Sequence, residues 1–433
     1  MKKILFVLMC VQFAYGQSPD RTIKEKEVKK IIRTLSADDM RGRSASEEKS
    51  IFKAAAFIEK EFQKAGLGYW PGLNSYLQRF QQQRIASGKI EVRIDGRVIA
   101  NENIVFISEK INTSVKNSLT VKNIEVDPVV ANKDQYFFNR AFAMLSDTTS
   151  CLVLVDTSFR KNFAEFKGYF SKAFTRGRKS TKVFVLGEKS AADFSVMASQ
   201  QIETINMANV VGVLEGKSKK DEMVIFSGHY DHIGVQKFKV KGDSIANGAD
   251  DDASGTTAVI ELARYFKKTN INERTLVFVA FTAEEIGGFG SRYFSEHANA
   301  DKVTAMFNIE MIGKPSKWGV HHFFMTGFER SDFGTILQKN LAGTGIELHP
   351  DPYPEQNLFY RSDNATLARL GVPAHSLSTD QIDNDHLYHT VDDEFESIDI
   401  ANLTSTIRAI ALTARSIVTG ADTPKRIDKA TVK

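Results

Sequence analysis

The chain has 433 residues, enough for one large α/β domain with an insertion, and 42% hydrophobic and 25% charged residues describe a soluble globular protein. Its formal charge is +4, and it would fall to +2 if the N-terminal segment with Lys2 and Lys3 were removed. A charge this close to neutral gives no argument for a nucleic-acid partner or an anionic membrane.

Residues 1–16 have the pattern of a signal peptide. A basic start precedes an apolar run over residues 4–10, and Ala14 and Gly16 would occupy positions −3 and −1 of a cut before Gln17. The run is far shorter than the ~20 residues that a membrane span needs. We therefore predict export, to the periplasm or the extracellular space if the source is bacterial, without stable membrane insertion.

The two cysteines predict no disulfide in the mature chain. Cleavage would remove Cys10, which follows Met9, a residue too large for the usual lipid-attachment site, and would leave Cys151 alone. Cys151 opens the apolar run 151–155, so we interpret it as a buried strand residue and not as a nucleophile.

Residues 17–88 read as the N-terminal part of the main domain. Apolar residues at helical spacing over 25–35 and 52–65 predict two helices, and Gly66 is suited to end the second. The polar segment 38–43 between them predicts a turn.

Residues 89–207 read as a β-rich inserted domain without histidine. Strict alternation over 90–94, followed by Asp95-Gly96, predicts a hairpin with the strand 97–99. Further short strands are predicted at 119–121, 152–155 and 183–186.

A run of phenylalanines within this insert recurs at three- and four-residue steps, with lysine and arginine between them. The phenylalanines are Phe159, Phe163, Phe166, Phe170 and Phe174. The spacing predicts an amphipathic helix with a solvated basic face. A basic lid or an anion-contacting face is the alternative interpretation.

Residues 208–422 alternate strands, loops and helices, and 423–433 read as a polar tail. Ser254 is suited to cap a helix that continues to Lys267. The pattern predicts an α/β fold with a doubly wound, mostly parallel mixed sheet and helices on both faces, in which ligands gather beyond the carboxyl ends of the strands. The predicted strands are 223–226, 276–281, 305–307 and 374–377.

All nine histidines lie between His229 and His389, together with acidic residues that follow the predicted strands. Imidazoles and carboxylates are zinc ligands, and a pair of zinc ions shares a bridging carboxylate and a water. One further carboxylate must then take the proton of that water. The candidates are His229, Asp251, Glu284, Glu285, Glu310 and His389.

Each of these signals is weak alone, because a single histidine at a strand end or a Glu-Glu pair is usually structural or solvated. Their order, and the glycines that surround them, favour a site. The sequence contains no Gly-x-Ser-x-Gly nucleophile motif, no phosphate-binding glycine-rich loop and no His-Glu-x-x-His.

The combined motifs resemble the secreted co-catalytic di-zinc aminopeptidase family, which includes aminopeptidase Y and, more distantly, glutamate carboxypeptidase II and glutaminyl cyclase. The segment L-S-A-D-D-M-R-G-R resembles the N-terminal part of the family, and the insert occupies the place of its protease-associated domain. The motifs are H-Y-D, G-A-D-D-D-A-S-G, E-E-I-G-G-x-G-S, N-I-E-M-I-G and Y-H-T-x-x-D.

The resemblance implies the zinc exopeptidase fold, two Zn²⁺ and a role for each motif. His229 and Glu310 would bind the first zinc, Glu285 and His389 the second, and Asp251 would bridge both. The Asp231 carboxylate would orient the ring of His229. Glu284 would be the general base, and a cis peptide is expected between Asp251 and Asp252.

Two positions depart from the usual family pattern. Aspartate is commoner than glutamate at Glu310, and histidine is common at Asn364, within a motif that would line the substrate pocket. Tyr388 and Tyr360 are both candidates for the hydroxyl that stabilises the oxyanion, with a preference for Tyr388.

The leading prediction is a secreted zinc exopeptidase, most simply an aminopeptidase, that cleaves N-terminal peptide bonds with a zinc-bridging hydroxide and Glu284 as base. Peptides are then the expected substrates. A carboxypeptidase or a glutaminyl cyclase on the same fold is one alternative. A non-catalytic binding protein on this scaffold is another, disfavoured by the intact Glu284 and ligand set.

Overall fold

The computed structural model describes residues 18–170, 174–240 and 242–433. The predicted signal peptide lies outside these residues. The described chain forms two compact units, which we call the main unit (18–80 and 206–433) and the inserted unit (81–205).

The elements are numbered in chain order. The strands are β1 (Gly68–Tyr69), β2 (Leu77–Ile94), β3 (Arg97–Val98), β4 (Ile104–Ile107), β5 (Asn112–Lys116), β6 (Thr120–Ile124), β7 (Cys151–Val155), β8 (Lys182–Leu186), β9 (Phe194–Leu214), β10 (Lys219–His229), β11 (Gly234–Val240), β12 (Asp243–Ala246), β13 (Arg274–Phe281), β14 (Val303–Ile309), β15 (His322–Met325), β16 (Glu347–Pro350) and β17 (Ala374–Ser378). The helices are α1 (Glu25–Leu35), α2 (Glu48–Ala65), α3 (Lys133–Ser146), α4 (Arg160–Phe170), α5 (Gly255–Thr269), α6 (Phe289–His297), α7 (Phe333–Leu341), α8 (Asn364–Ala368), α9 (Ile400–Thr413) and α10 (Arg415–Val418).

The main unit is built on a mixed sheet with the order β16-β15-β17-β14-β10-β13-β9. Its four central strands, β17, β14, β10 and β13, are parallel neighbours. β15 runs antiparallel to β17, and β9 runs antiparallel to β13. The predicted doubly wound, mostly parallel mixed sheet is therefore confirmed.

Hydrophobic cores cover both faces of this sheet. On one face Phe226 stacks between Phe278 and Phe307, with ring centroids 5.5 and 4.9 Å away. Ile225 and Val277, which point the opposite way, belong to the core of the other face. Strands buried on both sides need nearly continuous apolar sequence, and polar residues are displaced to the strand ends.

The two predicted N-terminal helices are confirmed. α1 has the predicted bounds, and α2 begins at Glu48 and ends at Ala65, where Gly66 adopts the left-handed conformation with φ 72°. The prediction that Ser254 caps α5 is wrong. Its hydroxyl donates to the Asp250 carbonyl at 2.7 Å, because the chain enters the helix through a wide turn over Ala249–Ser254.

The inserted unit contains its own sheet, with the order β4-β8-β7-β6 and apolar cores on both faces. The predicted hairpin between β2 and β3 is present, and Cys151 is buried within β7. The predicted phenylalanine helix is shorter than expected. α4 is described to Phe170, residues 171–173 are not described, and Phe174 forms a bridge with Arg84 instead of a helical turn.

The segment 423–433 is not simply a polar tail. Ile427 is buried in one core of the main unit, and its N–H donates to the Gly371 carbonyl at 3.0 Å. None of the helices among the described residues is both long and apolar enough to cross a bilayer.

Candidate metal centre

The candidate residues meet at one edge of the main sheet. His229 is the last residue of β10, and Glu310 directly follows β14. Glu285 lies in the loop after β13, and His389 lies in the loop after β17. Because these strands are parallel neighbours, their carboxyl ends place the four side chains together.

Asp251 stands between two histidine–carboxylate pairs and directs one oxygen to each. Its Oδ1 lies 3.1 Å from His229 Nε2, which is 3.3 Å from Glu310 Oε1. Its Oδ2 lies 3.2 Å from His389 Nε2, which is 3.0 Å from Glu285 Oε2. Ligands of a tetrahedral zinc with bonds near 2.0 Å are separated by about 3.3 Å, so both pairs have suitable spacing.

His232 joins the second pair and was given no role from the sequence. The ring is fully buried, and its Nδ1 lies 2.7 Å from Glu285 Oε1 and 3.7 Å from Asp251 Oδ2. Neither ring nitrogen has a partner with hydrogen-bond geometry, and neither does Glu285 Oε1. The signal was its place in the string G-H-Y-D-H, three residues after His229.

The donor set fits zinc. Imidazole and carboxylate groups predominate, and the orphaned nitrogens of His232 and Oε1 of Glu285 are buried polar atoms whose natural partner is a cation. His229, Asp251 and Glu310 form one group of converging ligand atoms, and His232, Asp251 and Glu285 form another.

The backbone around Asp251 is held by two further carboxylates. Asp252 accepts hydrogen bonds from the N–H groups of His229, Gly255 and Met311 at 3.0 to 3.1 Å. Asp393 accepts from the Asp251 N–H at 3.1 Å. The Asp251–Asp252 peptide is cis, as expected from the resemblance.

The close approach of the start of α5 to the end of β14 requires glycine at Gly255. A Cβ atom there would lie 2.2 Å from the Ile309 carbonyl oxygen and 2.4 Å from the Asp252 carboxylate. Both neighbours belong to the framework of the site, so neither can withdraw without moving it.

Arg43 connects the loops of the site from the N-terminal segment. Its fully buried guanidinium donates to four carbonyl oxygens, those of Leu35, Tyr230, Asn247 and Gly248. The Tyr230 carbonyl directly follows the strand end that carries His229, and the carbonyls of Asn247 and Gly248 directly precede the turn that carries Asp251. These hydrogen bonds give a physical reason for the second arginine of the L-S-A-D-D-M-R-G-R segment.

Asp231 acts differently from the sequence prediction. Its carboxylate lies 3.8 Å from His229 Nδ1, too far for a hydrogen bond, and it is the Asp231 backbone carbonyl that meets this nitrogen at 3.1 Å. The carboxylate instead accepts from the N–H groups of Glu284 and Glu285, at 3.1 and 3.4 Å. Asp231 therefore fixes the loop that carries the candidate base.

Charges of the site act on one another strongly. Burial, reinforced by the nearby carboxylates of Asp363 and Glu310, raises the pKa of Glu284 well above its usual range. Burial alone would raise the pKa of Asp251 too, but His229, His232 and His389 outweigh it and hold that pKa well below the usual range. One carboxyl is thus tuned to accept protons and the other to stay ionised.

A pocket opens beside the first pair of ligands. His229, Asp251, Glu284, Glu310 and Tyr388 contribute to its wall. The remaining wall is formed by Met311, Phe324, Thr326, Leu358, Arg361, Ser362, Ser376, Ser378, Asp380 and Ile382.

The two tyrosine candidates separate in the structure. Tyr388 borders this pocket, and its ring stacks on His389 with centroids 3.9 Å apart. The Tyr360 hydroxyl instead accepts from the Lys433 N–H at 3.5 Å. Of the motif that was expected to line the pocket, Arg361 and Ser362 do so, whereas Asn364 is buried and donates to the Phe359 carbonyl at 3.0 Å.

The fold of the main unit agrees with the expected zinc-exopeptidase fold, and side chains near its strand ends form the expected groups of ligand atoms. Residues 209–414 match the model of peptidase family M28. The resemblance to co-catalytic zinc aminopeptidases inferred from the motifs is confirmed for these residues, which make up just under half of the chain.

The curated relatives share parts of the chain. A probable zinc metalloprotease of Pyricularia oryzae is 34% identical over 151 residues, which cover 34% of this chain and 28% of that protein. A probable leucine aminopeptidase of Trichophyton verrucosum is 31% identical over 208 residues, 45% of this chain and 52% of that protein. The matched stretches thus span between a quarter and about half of these relatives.

Solved structures resemble nearly the whole chain in fold. An aminopeptidase from Aneurinibacillus sp. strain AM-1 superposes with a TM-score of 0.56 at 17% identity and covers 95% of this chain and 97% of its own. A peptidase M28 precursor from Shewanella amazonensis SB2B gives 0.54 at 15% identity, with 97% and 98% covered. At this identity the likeness shows a shared fold.

Proposed function

We propose that the protein is a zinc-dependent aminopeptidase that releases N-terminal residues from peptides. The proposal rests on the position of Asp251, whose two carboxylate oxygens each lie next to a separate histidine–carboxylate pair. This arrangement suits two zinc ions, one that His229 and Glu310 would hold and one that His389 and Glu285 would hold.

The bound ions would polarise the scissile carbonyl and lower the pKa of the attacking water. Glu284, with its raised pKa and its place in the pocket wall, takes the proton of that water and passes it to the leaving amine. Tyr388 lies on the same wall, where its hydroxyl can donate to the developing oxyanion. Asp231 holds the loop of Glu284 in place.

The wall of the pocket contains both carboxyl groups and a guanidinium group. Glu284 and Glu310 line it, and Arg361 is its one cationic wall residue. Burial near Asp250 and Asp385 raises the pKa of Asp380, also on the wall, to about 9, so that this carboxyl is neutral at pH 7.

The apolar part of the wall indicates the preferred N-terminal residue. Met311, Phe324, Leu358 and Ile382 present hydrocarbon to the pocket. Burying an apolar side chain there is favourable, so leucine, methionine or phenylalanine is the expected first residue.

The test is a panel of matched substrates assayed with metal-depleted and zinc-restored protein. Leucyl-p-nitroanilide should be cleaved only after zinc is restored, and N-acetyl-leucyl-p-nitroanilide should not be cleaved. Cleavage of an N-blocked, C-terminally free dipeptide would instead indicate a carboxypeptidase. Conversion of an N-terminal glutaminyl peptide without hydrolysis would indicate a cyclase, and no turnover of any substrate would indicate a binding protein.

The zinc count tests the metal assignment separately. Asp251→Asn should reduce the zinc content of the reconstituted protein at both positions, because the Asp251 carboxylate offers one oxygen to each position. Glu310→Ala should weaken binding of the first ion selectively, since Asp251, Glu285 and His389 still hold the second.

Export is proposed on the signal-peptide pattern. N-terminal sequencing of the mature protein should therefore begin at Gln17.

A further inference from the structure

A second group of ligand atoms lies on the edge strands of the main sheet, apart from the candidate metal centre. His322 begins β15, and Glu347 and His349 lie on β16, which pairs with β15 in parallel. His322 is opposite Glu347 in the register, and His349 is two residues further along. Because strand side chains alternate, all three are on one face.

The separations of these atoms suit a single metal ion. His322 Nδ1 lies 3.0 Å from His349 Nε2, and Glu347 Oε2 lies 3.8 and 3.6 Å from these two nitrogens. A triangle with these sides has a point roughly 2.0 Å from each corner, which is the bond length of zinc to imidazole and carboxylate.

The surroundings hold the ligands in place and leave room for an ion. The Trp318 indole stacks on the His349 ring with centroids 4.0 Å apart and planes 15° apart, which restricts rotation of the imidazole. The side chains of His322 and His349 are 26% and 22% exposed, so water can complete the coordination. Glu347 is 65% exposed and can adjust its carboxylate without repacking.

We propose that His322, Glu347 and His349 bind a third divalent ion, of the zinc class, that links β15 to the edge strand β16. Two imidazoles and one carboxylate are ligands that zinc accepts readily. β16 has only four residues, ends in Pro350 and pairs with β15 alone among the described strands. A metal shared by both strands would tie down this short edge, and its role is structural.

The competing explanation is a plain hydrogen bond between the two imidazoles, which the 3.0 Å separation also permits. The two explanations differ in what zinc does. A hydrogen-bonded pair needs no metal, whereas a metal site binds one more ion per chain and becomes more stable as zinc is added.

The experiment compares zinc binding of the full chain with that of His322→Asn and His349→Gln, which keep a polar atom near each lost nitrogen. His321→Asn is the matched control, because His321 is adjacent but its Nδ1 faces Ser405 Oγ at 3.1 Å. Metal-depleted protein is titrated with Zn²⁺, bound zinc per chain is measured by elemental analysis, and Tm is recorded with and without zinc.

The unsubstituted protein and His321→Asn should each bind one more zinc than either site variant. Affinity for that ion should fall at least about 100-fold in the variants, beyond the 10–100-fold typical of losing an outer partner. The part of the zinc-dependent rise in Tm that comes from this ion should disappear, while leucyl-p-nitroanilide hydrolysis stays unchanged. Equal zinc in all four proteins, or the same loss in His321→Asn, would overturn the proposal. The readout is a difference between variants, so it is independent of whether the protein proves to be an aminopeptidase.

Discussion

Both units place an acidic residue after a buried parallel strand, yet the two carboxylates behave in opposite ways. In the inserted unit Asp156 follows β7 and accepts the Ser158 N–H at 2.9 Å, which lowers the pKa of Asp156. In the main unit Glu284 follows β13, and burial among other carboxylates raises the pKa of Glu284. Asp156 and Glu284 therefore both lie just after a strand. What distinguishes Glu284 is that the ends of several other strands bring further acidic and histidine side chains close to it.

The buried cationic side chains of the two units also differ, in how far along the sequence their hydrogen bonds reach. In the inserted unit Lys182 donates to the carbonyls of Asp147 and Thr149, which precede the neighbouring strand β7. In the main unit Arg43 donates to four carbonyls from three separate segments. The first contact completes a local turn, and the second fixes loops that are distant in sequence relative to one another.

The largest expected effect separates the two strand-end carboxylates by their chemistry. Glu284→Gln keeps the shape of the side chain but removes the base, so kcat should fall by roughly 10²–10⁴-fold while bound zinc is retained. Asp156→Asn, the matched variant of the inserted unit, should leave kcat unchanged and cost well under about 1 kcal/mol of stability, because asparagine is as good an N-cap as aspartate. Steady-state kinetics and elemental analysis check both. Zinc loss in Glu284→Gln would indicate that Glu284 is a ligand and that its role is exchanged with that of Glu285.

The next effect tests whether Arg43 holds the site together. Arg43→Ala leaves four buried carbonyls without their donor, so the free energy of unfolding should fall by roughly 3–5 kcal/mol. Arg41→Ala is the matched control, because Arg41 also has a positive φ but is half exposed and pairs only with Glu47 at 3.0 Å. It should cost about 1 kcal/mol or less. Denaturant unfolding measures both, and equal losses would show that Arg43 has no special role.

Residues whose signal is local were predicted well from the sequence. His229 ends a strand whose apolar run is visible in the sequence, and Glu284, Glu310 and His389 each follow such a strand. The parallel sheet then brings the strand ends together without further information. The cis Asp251–Asp252 peptide was expected only from the resemblance to a family, and the order of the central strands was not predicted.

Contacts between distant segments could not be predicted in this way. The bond from Arg43 to Tyr230 spans 187 residues, and that from Ser362 to Glu310 spans 52. Such hydrogen bonds leave no periodicity in the sequence. The Asp231 carboxylate was predicted to contact the His229 ring, but it accepts hydrogen bonds from the N–H groups of Glu284 and Glu285. The prediction failed for the same reason, because the direction of a side chain depends on which loop packs against it.

A buried histidine away from the site should give the main unit a pH-dependent stability. Burial lowers the pKa of His375 to about 4, and its Nδ1–H donates to the Thr326 carbonyl at 2.8 Å. Between this value and about 6.5 the unfolded state binds the proton and the folded state does not, so stability falls as the pH falls. From pH 7 to 5 the loss due to His375 should be roughly 2 kcal/mol.

The variant His375→Asn keeps a donor for the Thr326 carbonyl and removes the titrating ring. Its absolute stability will be lower, but the slope between pH 7 and 5 should become shallower by the amount due to His375. His297→Asn, at an exposed helix end where the ring meets only the Tyr293 carbonyl and the Tyr293 ring, should keep the original slope. Unfolding by denaturant at several pH values measures this, and an unchanged slope in His375→Asn contradicts the prediction.

The smallest expected effect concerns the support of the first metal position. Ser362 Oγ donates to Glu310 Oε2 at 2.6 Å, and Asn308 Nδ2 donates to the same hydroxyl at 2.7 Å. These two hydrogen bonds hold Oε2 of Glu310, and its Oε1 is then directed toward His229. This explains how the longer glutamate can take a position where aspartate is commoner.

Losing such an outer partner weakens metal binding by 10–100-fold, so Ser362→Ala should reduce zinc affinity at the first position by about tenfold and leave the second unchanged. Ser295→Ala, whose hydroxyl donates only to the Arg292 carbonyl of its own helix, is the control. Activity of Ser362→Ala should recover when zinc is added, because mass action restores occupancy. Unchanged zinc affinity in competition with a chelator would show that Glu310 holds its position without Ser362, and a loss that persists at saturating zinc would indicate a role for Ser362 in substrate binding instead.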